Sequence, residues 1–337
     1  LKTVQKKMLT KKPSKIAVFG AGVWGSIIAD HVASRGFDVT LWEHFEHLLH
    51  QLEETRRHPH IPNFKFNDRV TLTANLAEAV RDADLLILVI SSKAVRPFCK
   101  NLSVLLNGRK VPVVSASKGL ESGTLLTVTE VLEQELPHLK GQVMALSGPS
   151  FALEVARKVP TKINLAGDNP DLLRTAAEIL SGSPLRVELS SDRRGVEWGG
   201  AVKNVLAIGC GIIDGMGLGS NTKAALITEG MGEMRGLILA AGGREETVFG
   251  LAGLGDFILT GTSDISRNRR LGEKLGKGKL VAQARSEIST VAEGADSVES
   301  VMEMVKKSGV KAPVINAIWH IVREGAAPDI ILKALGF

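Results

Sequence analysis

Between residues 16 and 34 the chain runs from an apolar stretch, Ile16-Ala17-Val18-Phe19, through Gly20-Ala21-Gly22-Val23-Trp24-Gly25 into an apolar-periodic segment that ends at Ser34. A strand, a G-x-G-x-x-G turn and a helix in immediate succession leave few folds open. The first glycine permits the tight turn, the second lets a pyrophosphate approach the backbone, and the third allows close helix–strand packing. The start of the following helix offers unpaired N–H groups and a positive dipole end to an anion. A second apolar run, Asp38 to Trp42, leads to Glu43, eighteen residues past Gly25. A carboxylate there is placed to accept hydrogen bonds from an adenosine ribose and to repel a 2′-phosphate, while the neighbouring His44 could offer a cation to that phosphate. A glycine triplet alone is weak, but in this setting it predicts a site for NAD or NADP. Trp24 within the loop is either packing or a wall beside the dinucleotide.

The rest of the first half alternates short apolar runs with helical stretches, as a parallel sheet wrapped by helices requires. Strands are predicted at Lys15 to Phe19, Asp38 to Trp42, Leu85 to Ile90, Pro112 to Ser115 and Val143 to Leu146. Lys162 to Ala166 and Leu185 to Glu188, flanking a helix that begins near Pro170, extend the same sheet. After about Ser190 the β-branched runs stop and the pattern becomes helical. The expected fold is therefore α/β, with a basic tail at residues 1–14, a Rossmann-type doubly wound domain at 15–190 and an all-helical domain at 191–337. A length of 337 residues fits two domains better than one.

Composition removes several classes. The net charge of +6 equals the contribution of Lys2, Lys6, Lys7, Lys11, Lys12 and Lys15, so the body is formally neutral and no nucleic-acid partner is expected. The longest apolar runs, Asp84 to Ile90 and Val205 to Ile213, fall short of the roughly 18 residues that span a bilayer, so no membrane insertion is expected. The first residues alternate lysine with polar side chains and lack a secretory signal, which predicts a cytoplasmic protein. Cys99 and Cys210 form no Cys-x-x-Cys motif, and His58 and His60 have no third ligand close by in sequence, so no metal site is expected. His31, His44, His47 and His50 are expected on the surface.

The second half carries the reactive candidates. Lys203 sits in Val196 to Ile213, a mostly apolar or small-residue stretch where an ammonium is out of place unless it faces a cleft. Its helical neighbours Gly199, Gly200 and Ala207 are small, which would leave room for a substrate. Desolvation would lower its pKa toward the range of a proton donor and acceptor, although a lysine snorkelling from a helix edge has the same pattern. Asp256 after Gly253-Leu254-Gly255 could orient the lysine, accept a substrate hydroxyl, or only cap a helix. Ser266-Arg267-Asn268 combines a cap, a fork-shaped cation and helix N–H groups, which suits a phosphate monoester. A solvated basic helix start fits Arg269 and Arg270 better than Arg267. Lys118, just past the strand ending at Ser115, lies at the carboxyl edge of the sheet where ligands bind in this architecture.

In order along the chain stand the glycine loop with its tryptophan, Ser117-Lys118-Gly119-Leu120, Ser147-Gly148-Pro149-Ser150-Phe151-Ala152, Lys203-Asn204, Gly253-Leu254-Gly255-Asp256 and Ser266-Arg267-Asn268-Arg269-Arg270. From about Lys15 to near its C-terminus the chain resembles the bacterial-type NAD(P)-dependent glycerol-3-phosphate dehydrogenases. The resemblance implies interconversion of dihydroxyacetone phosphate and sn-glycerol 3-phosphate, a supply of phospholipid backbone, use of both NAD and NADP, and a homodimer. It implies that Lys203 is the general acid/base with Asp256 beside it. Substrate contacts are implied for Lys118, Gly148, Ser150, Lys203, Asp256, Ser266, Arg267 and Asn268. Cofactor contacts are implied for Gly20, Gly22, Val23, Trp24, Gly25, Glu43, His44, Lys118, Ala152, Arg267, Val291 and Glu293. Two rivals remain at this level. A dehydrogenase acting on a hydroxy acid or sugar acid would have no use for Ser266-Arg267-Asn268, and a non-catalytic NAD(P) sensor would have none for a buried Lys203.

Overall fold

The computed structural model describes residues 14–288 and 293–337; the lysines from Lys2 to Lys12, and Val291, lie outside them. Eight strands form one sheet: β1 Lys15–Phe19, β2 Asp38–Trp42, β3 Val70–Thr73, β4 Leu85–Leu88, β5 Val113–Ser115, β6 Val143–Ser147, β7 Thr161–Gly167 and β8 Leu185–Ser190. Their order is β3-β2-β1-β4-β5-β6-β7-β8. The chain leaves β1 toward β2 on one side and returns to β4 on the other. That reversal opens a crevice at the carboxyl ends of β1 and β4, the place where doubly wound sheets bind ligands.

Every strand pair is parallel except β6 and β7, which run antiparallel with Ser147 opposite Asn164. The late β7–β8 pair thus joins the predicted sheet in the reverse sense. The strand missed in the sequence is β3, Val-Thr-Leu-Thr, which pairs only with β2. Four residues at a sheet edge bury too little to leave a readable run. In contrast, all four residues of β4 are buried, because helices cover both faces of the sheet centre. One apolar cluster, with Ile16, Val18, Ile28 and Leu165, fills one face, and another, with Phe19, Leu86, Phe98 and Leu132, fills the other. His31 belongs to this interior and not to the surface. Its Nε2 bonds the Leu180 carbonyl at 2.7 Å.

Beyond Ser190 the helix Arg193–Gly215 runs through the middle of the helical region. Asp192 caps it, accepting the Gly195 N–H at 2.9 Å. At 23 residues this helix is long and apolar enough to cross a membrane, which the short apolar runs had concealed, but its apolar stretch is buried inside the protein. Its glycines have a packing role. A Cβ on Gly211 would lie 1.9 Å from the Arg269 carbonyl oxygen, and one on Gly272 would lie 1.9 Å from the Ile208 carbonyl oxygen. The core helix and the helix Arg267–Gly276 therefore meet backbone to backbone, a contact no larger residue permits. Glu197 ties the core helix to the sheet region, since its carboxylate accepts the Thr129 N–H at 2.9 Å and the Thr129 hydroxyl. Burial pushes that carboxyl up to about 6.

Candidate active site

The glycine loop sits at the end of β1 and leads into the helix Val23–Ser34. Gly20 has a φ of +103°, and a Cβ there would meet the Val89 carbonyl oxygen at 2.6 Å. At Gly25 a Cβ would lie 1.9 Å from the Gly20 carbonyl oxygen. Gly22 is the opposite case, exposed and with nothing within 4 Å of the Cβ position. The first and third glycines are thus consumed by the fold and the second faces open space, which is the geometry a pyrophosphate needs. Trp24 is half-buried against the sheet core beside Val23, so packing is at least part of its role.

The carboxyl ends of the strands lead from this loop to a charged cluster. Gly20 packs on Val89 and Ile90, the Ile90 carbonyl accepts the Ser117 hydroxyl at 2.6 Å, and Lys118 follows. Lys118 Nζ reaches Asp256 Oδ2 at 2.7 Å. Asp256 begins the helix Asp256–Thr262 directly after a π-helical turn, Leu251–Gly255. Its other oxygen, Oδ1, accepts from Lys203 Nζ at 3.1 Å, and Lys203 also donates to Thr260 Oγ1 at 2.7 Å. Lys203 and Asp256 are 5% and 2% exposed, so that pair is interior, with Lys118 half-buried at its edge.

Burial pulls the Lys203 ammonium down to about 8, with Lys118 adding to the fall and Asp256 opposing it. Burial would raise the Asp256 carboxyl, but Lys118 and Lys203 outweigh it and hold the group below the usual carboxylate range. The snorkelling alternative for Lys203 is therefore removed: the amine is inside, paired, and close to neutrality in its titration. The space above it is not left empty by the small residues, as the sequence suggested. A Cβ on Gly199 would meet the Ala252 carbonyl oxygen at 2.8 Å, and one on Gly200 would meet Ser147 Oγ at 2.9 Å. Those glycines admit the π-turn and β6, and so bring Asp256 and Lys118 to the lysine.

Around the cluster the remaining candidates separate. Arg267 is exposed at the first turn of the helix Arg267–Gly276 and makes no ion pair among the described residues. Ser266 caps this helix by accepting the Arg269 N–H at 3.2 Å. Arg269 is instead paired with Asp214 at 2.6 Å. Asn268 turns inward: its Nδ2 donates to Asn204 Oδ1 and its Oδ1 accepts the Gly294 N–H, both at 2.9 Å. Its side chain thus joins three helices, leaving little of it for a substrate. Gly148 takes φ +138°, and Ser150, whose hydroxyl bonds the Gly148 carbonyl at 3.0 Å, precedes the short helix that starts at Ala152. Glu293 is exposed at the start of its helix, near enough to Lys203 to favour the ammonium. His44 is exposed at the end of β2. Glu43 departs from its expected role. It is 4% exposed, with Oε2 accepting the Ala21 N–H at 2.7 Å and Oε1 accepting the Phe45 N–H at 2.9 Å. Its carboxylate faces the loop backbone and not an open ribose site.

Two participants were missed. Thr260 lies four residues after Asp256 on the same helical face, a spacing that could have identified it. Asn204, next to Lys203, accepts from Asn268, a partnership that no local spacing signals.

Comparison with known proteins agrees with this geometry. The family described as NAD-dependent glycerol-3-phosphate dehydrogenase N-terminus matches residues 15–173, and its C-terminal counterpart matches residues 192–333. The chain is 42% identical over 324 residues to glycerol-3-phosphate dehydrogenase [NAD(P)+] of Citrifermentans bemidjiense, covering 95% of this chain and 96% of the relative. The crystal structure of glycerol-3-phosphate dehydrogenase from Coxiella burnetii superposes with a TM-score of 0.89 at 35% identity, covering 97% and 98% of the two chains. D-mandelate dehydrogenase in complex with NADH shares the fold alone, with a TM-score of 0.63 at 16% identity, over 92% of this chain and 98% of that one.

Proposed function

The chain belongs to the NAD-dependent glycerol-3-phosphate dehydrogenase family, and from that premise we propose that Lys203 moves the proton in its interconversion of dihydroxyacetone phosphate and sn-glycerol 3-phosphate. It is an NAD(P)-dependent oxidoreductase. Gly20, Gly22, Val23, Trp24 and Gly25 would hold the dinucleotide, with His44, Lys118, Ala152, Arg267 and Glu293 around it. When bound, the nicotinamide supplies or accepts the hydride.

The observation that carries the proposal is the buried Asp256–Lys203 pair with half-buried Lys118 on the other carboxylate oxygen. An ammonium has three N–H groups. Asp256 and Thr260 take two, which leaves the third to donate to the ketone oxygen at C2 of the substrate. With its pKa near 8, Lys203 gives that proton readily during reduction and recovers it from the alcohol in reverse. Asp256 holds the amine in place in both states, and Lys118 keeps Asp256 ionised while pushing the Lys203 pKa down. Arg267 and the N–H groups of its helix bind the phosphate, while Gly148 and Ser150 border the substrate. We also propose a homodimer in the cytoplasm whose product supplies the phospholipid backbone.

The test is oxidation of NADH by the purified protein in the presence of dihydroxyacetone phosphate, with unphosphorylated ketones and hydroxy acids in parallel. Turnover with the phosphorylated ketone is expected. Its absence, with turnover of another substrate, would overturn the assignment.

A further inference from the structure

Ala21, the residue between the first two glycines of the loop, is gripped from both sides by side chains that sequence motifs do not connect. Its N–H donates to Glu43 Oε2 at 2.7 Å. Its carbonyl oxygen meets His58 Nε2 at 3.1 Å and accepts the Ser26 hydroxyl at 3.1 Å. Ala21 is fully buried, and Glu43 and His58 are each 4% exposed. His58 comes from the segment after the helix Glu46–Thr55, thirty-seven residues away in sequence. Its Nδ1 accepts the His60 N–H at 3.1 Å, so the ring proton sits on Nε2 and points at Ala21. Burial lowers the pKa of His58, against the pull of the Ala21 carbonyl and Glu43 and with the push of His60. The imidazole is neutral in this arrangement.

The Ala21–Gly22 peptide is planar and trans. With its carbonyl turned into the protein toward His58 and Ser26, its N–H, which belongs to Gly22, must point the opposite way. That side is open: nothing stands within 4 Å of the Gly22 Cβ position, and the Gly22 N–H has no acceptor among the described residues. The orientation of this peptide decides whether the N–H or the carbonyl oxygen meets an incoming phosphate, and the two have opposite charge.

We propose that Glu43 and His58 are positioning residues that clamp Ala21 so that the Gly22 N–H faces the dinucleotide phosphates, and that Glu43 takes no part in distinguishing NADH from NADPH. Glu43 is buried with each oxygen turned onto a backbone N–H, so its carboxylate is withdrawn from the surface where a ribose would lie. Both cofactors share the pyrophosphate, so the clamp serves them equally. The proposal rests on the dinucleotide reading of the site, yet it can be tested without turnover.

The experiment measures NADH and NADPH dissociation constants by nucleotide fluorescence for the parent, His58→Leu, His58→Gln and Glu43→Gln, together with Gly22 amide exchange in the cofactor-free proteins. Leucine removes the donor to Ala21, and the Gln amide can restore it. One neutral hydrogen bond corresponds to about 2- to 13-fold in affinity. His58→Leu is expected to weaken both cofactors by a similar factor in that range and to speed exchange at Gly22, with His58→Gln returning most of the loss. Glu43→Gln is expected to weaken both while leaving the NADPH:NADH affinity ratio within about 2-fold of the parent, the lower limit of one such bond. Unchanged affinities in His58→Leu, no recovery in His58→Gln, or a selective gain for NADPH in Glu43→Gln would each overturn the clamp. A parent that bound neither cofactor would refute the dinucleotide reading instead, and a parent that bound both without turning over dihydroxyacetone phosphate would refute only the reaction assigned above.

Discussion

The two halves of the molecule build function from different material. In the sheet region the binding elements are backbone: a glycine turn, a helix N-terminus and peptide groups fixed by buried side chains at the end of β1. In the helical region they are side chains brought from distant segments, with Lys203, Asp256 and Thr260 meeting one another and Lys118 reaching Asp256 from the sheet edge, across as many as 142 residues of chain. A backbone site needs particular local geometry, so it leaves a contiguous motif. A side-chain cluster needs a core that desolvates it, and that core is a property of the whole region.

The sharpest way to break this contrast is to remove a side chain from one half and ask whether the other notices. Lys203→Ala is expected to lower kcat/KM for dihydroxyacetone phosphate by about 10²- to 10⁴-fold while the NADH dissociation constant stays near that of the parent. A comparable loss of NADH binding would show that the halves are not separable. The next largest effect is on phosphate recognition. Arg267→Ala removes a charge-assisted contact worth about 10- to 150-fold, so kcat/KM should fall for dihydroxyacetone phosphate and hold for dihydroxyacetone. With NADH saturating, an equal loss on both would make Arg267 structural.

The glycines give a comparison in stability. Gly272→Ala forces a Cβ into the Ile208 carbonyl and is expected to destabilise the fold by about 1–3 kcal/mol or more in urea unfolding. Gly22→Ala meets nothing at an ordinary φ of −62°, so it should unfold like the parent and lose dinucleotide affinity. Reversed outcomes would mean that the glycines had been assigned the wrong roles.

The smallest expected effect is in pH dependence, where the halves should differ in sign. Burial pushes Glu233, whose carboxylate accepts the Val314 and Ile315 N–H groups, up to about 7. A carboxyl raised on folding contributes stability below its unfolded value near 4.5 and loses it as pH rises through 7. Burial lowers His31 and His58 in the sheet region below 6.5. A histidine depressed on folding contributes its stability above 6.5 and loses it as pH falls. Amide protection factors between pH 5 and 8 should therefore decline with rising pH in the helical region and with falling pH in the sheet region. Glu233→Gln should reduce the first trend alone, leaving the part below pH 6 that Glu197 contributes. The same slope in both halves would contradict the assignment.

How much the sequence reveals follows the same division. Strands β1 and β2 are read at their observed ends because their apolar residues alternate into or fill the core and the runs stop at glycine or charged residues. Edge strand β3 is not read at all. The antiparallel turn of β7 is invisible because a strand's own pattern does not record its partner's direction. At the site, Lys203 stands out as a charge in an apolar helix, and Arg267 as a cation at a capped helix start. The inward turns of Glu43, Asn268 and His31 do not stand out, since a polar residue with distant backbone partners has the same local signature as an exposed one. Gly199 and Gly200 mislead for a related reason: a small residue marks close approach without saying what approaches.

At the centre of the account is a buried lysine held near pH 8 that carries the proton. The most direct measurement is kcat/KM for glycerol 3-phosphate oxidation from pH 7 to 10, above the second ionisation of a phosphate monoester at about 6. Oxidation requires the neutral amine, so the profile should rise with pH, bend near 8 and stay level above it. A profile flat across this range, or one still climbing toward the ordinary lysine value near 10.4, would contradict the assignment of Lys203.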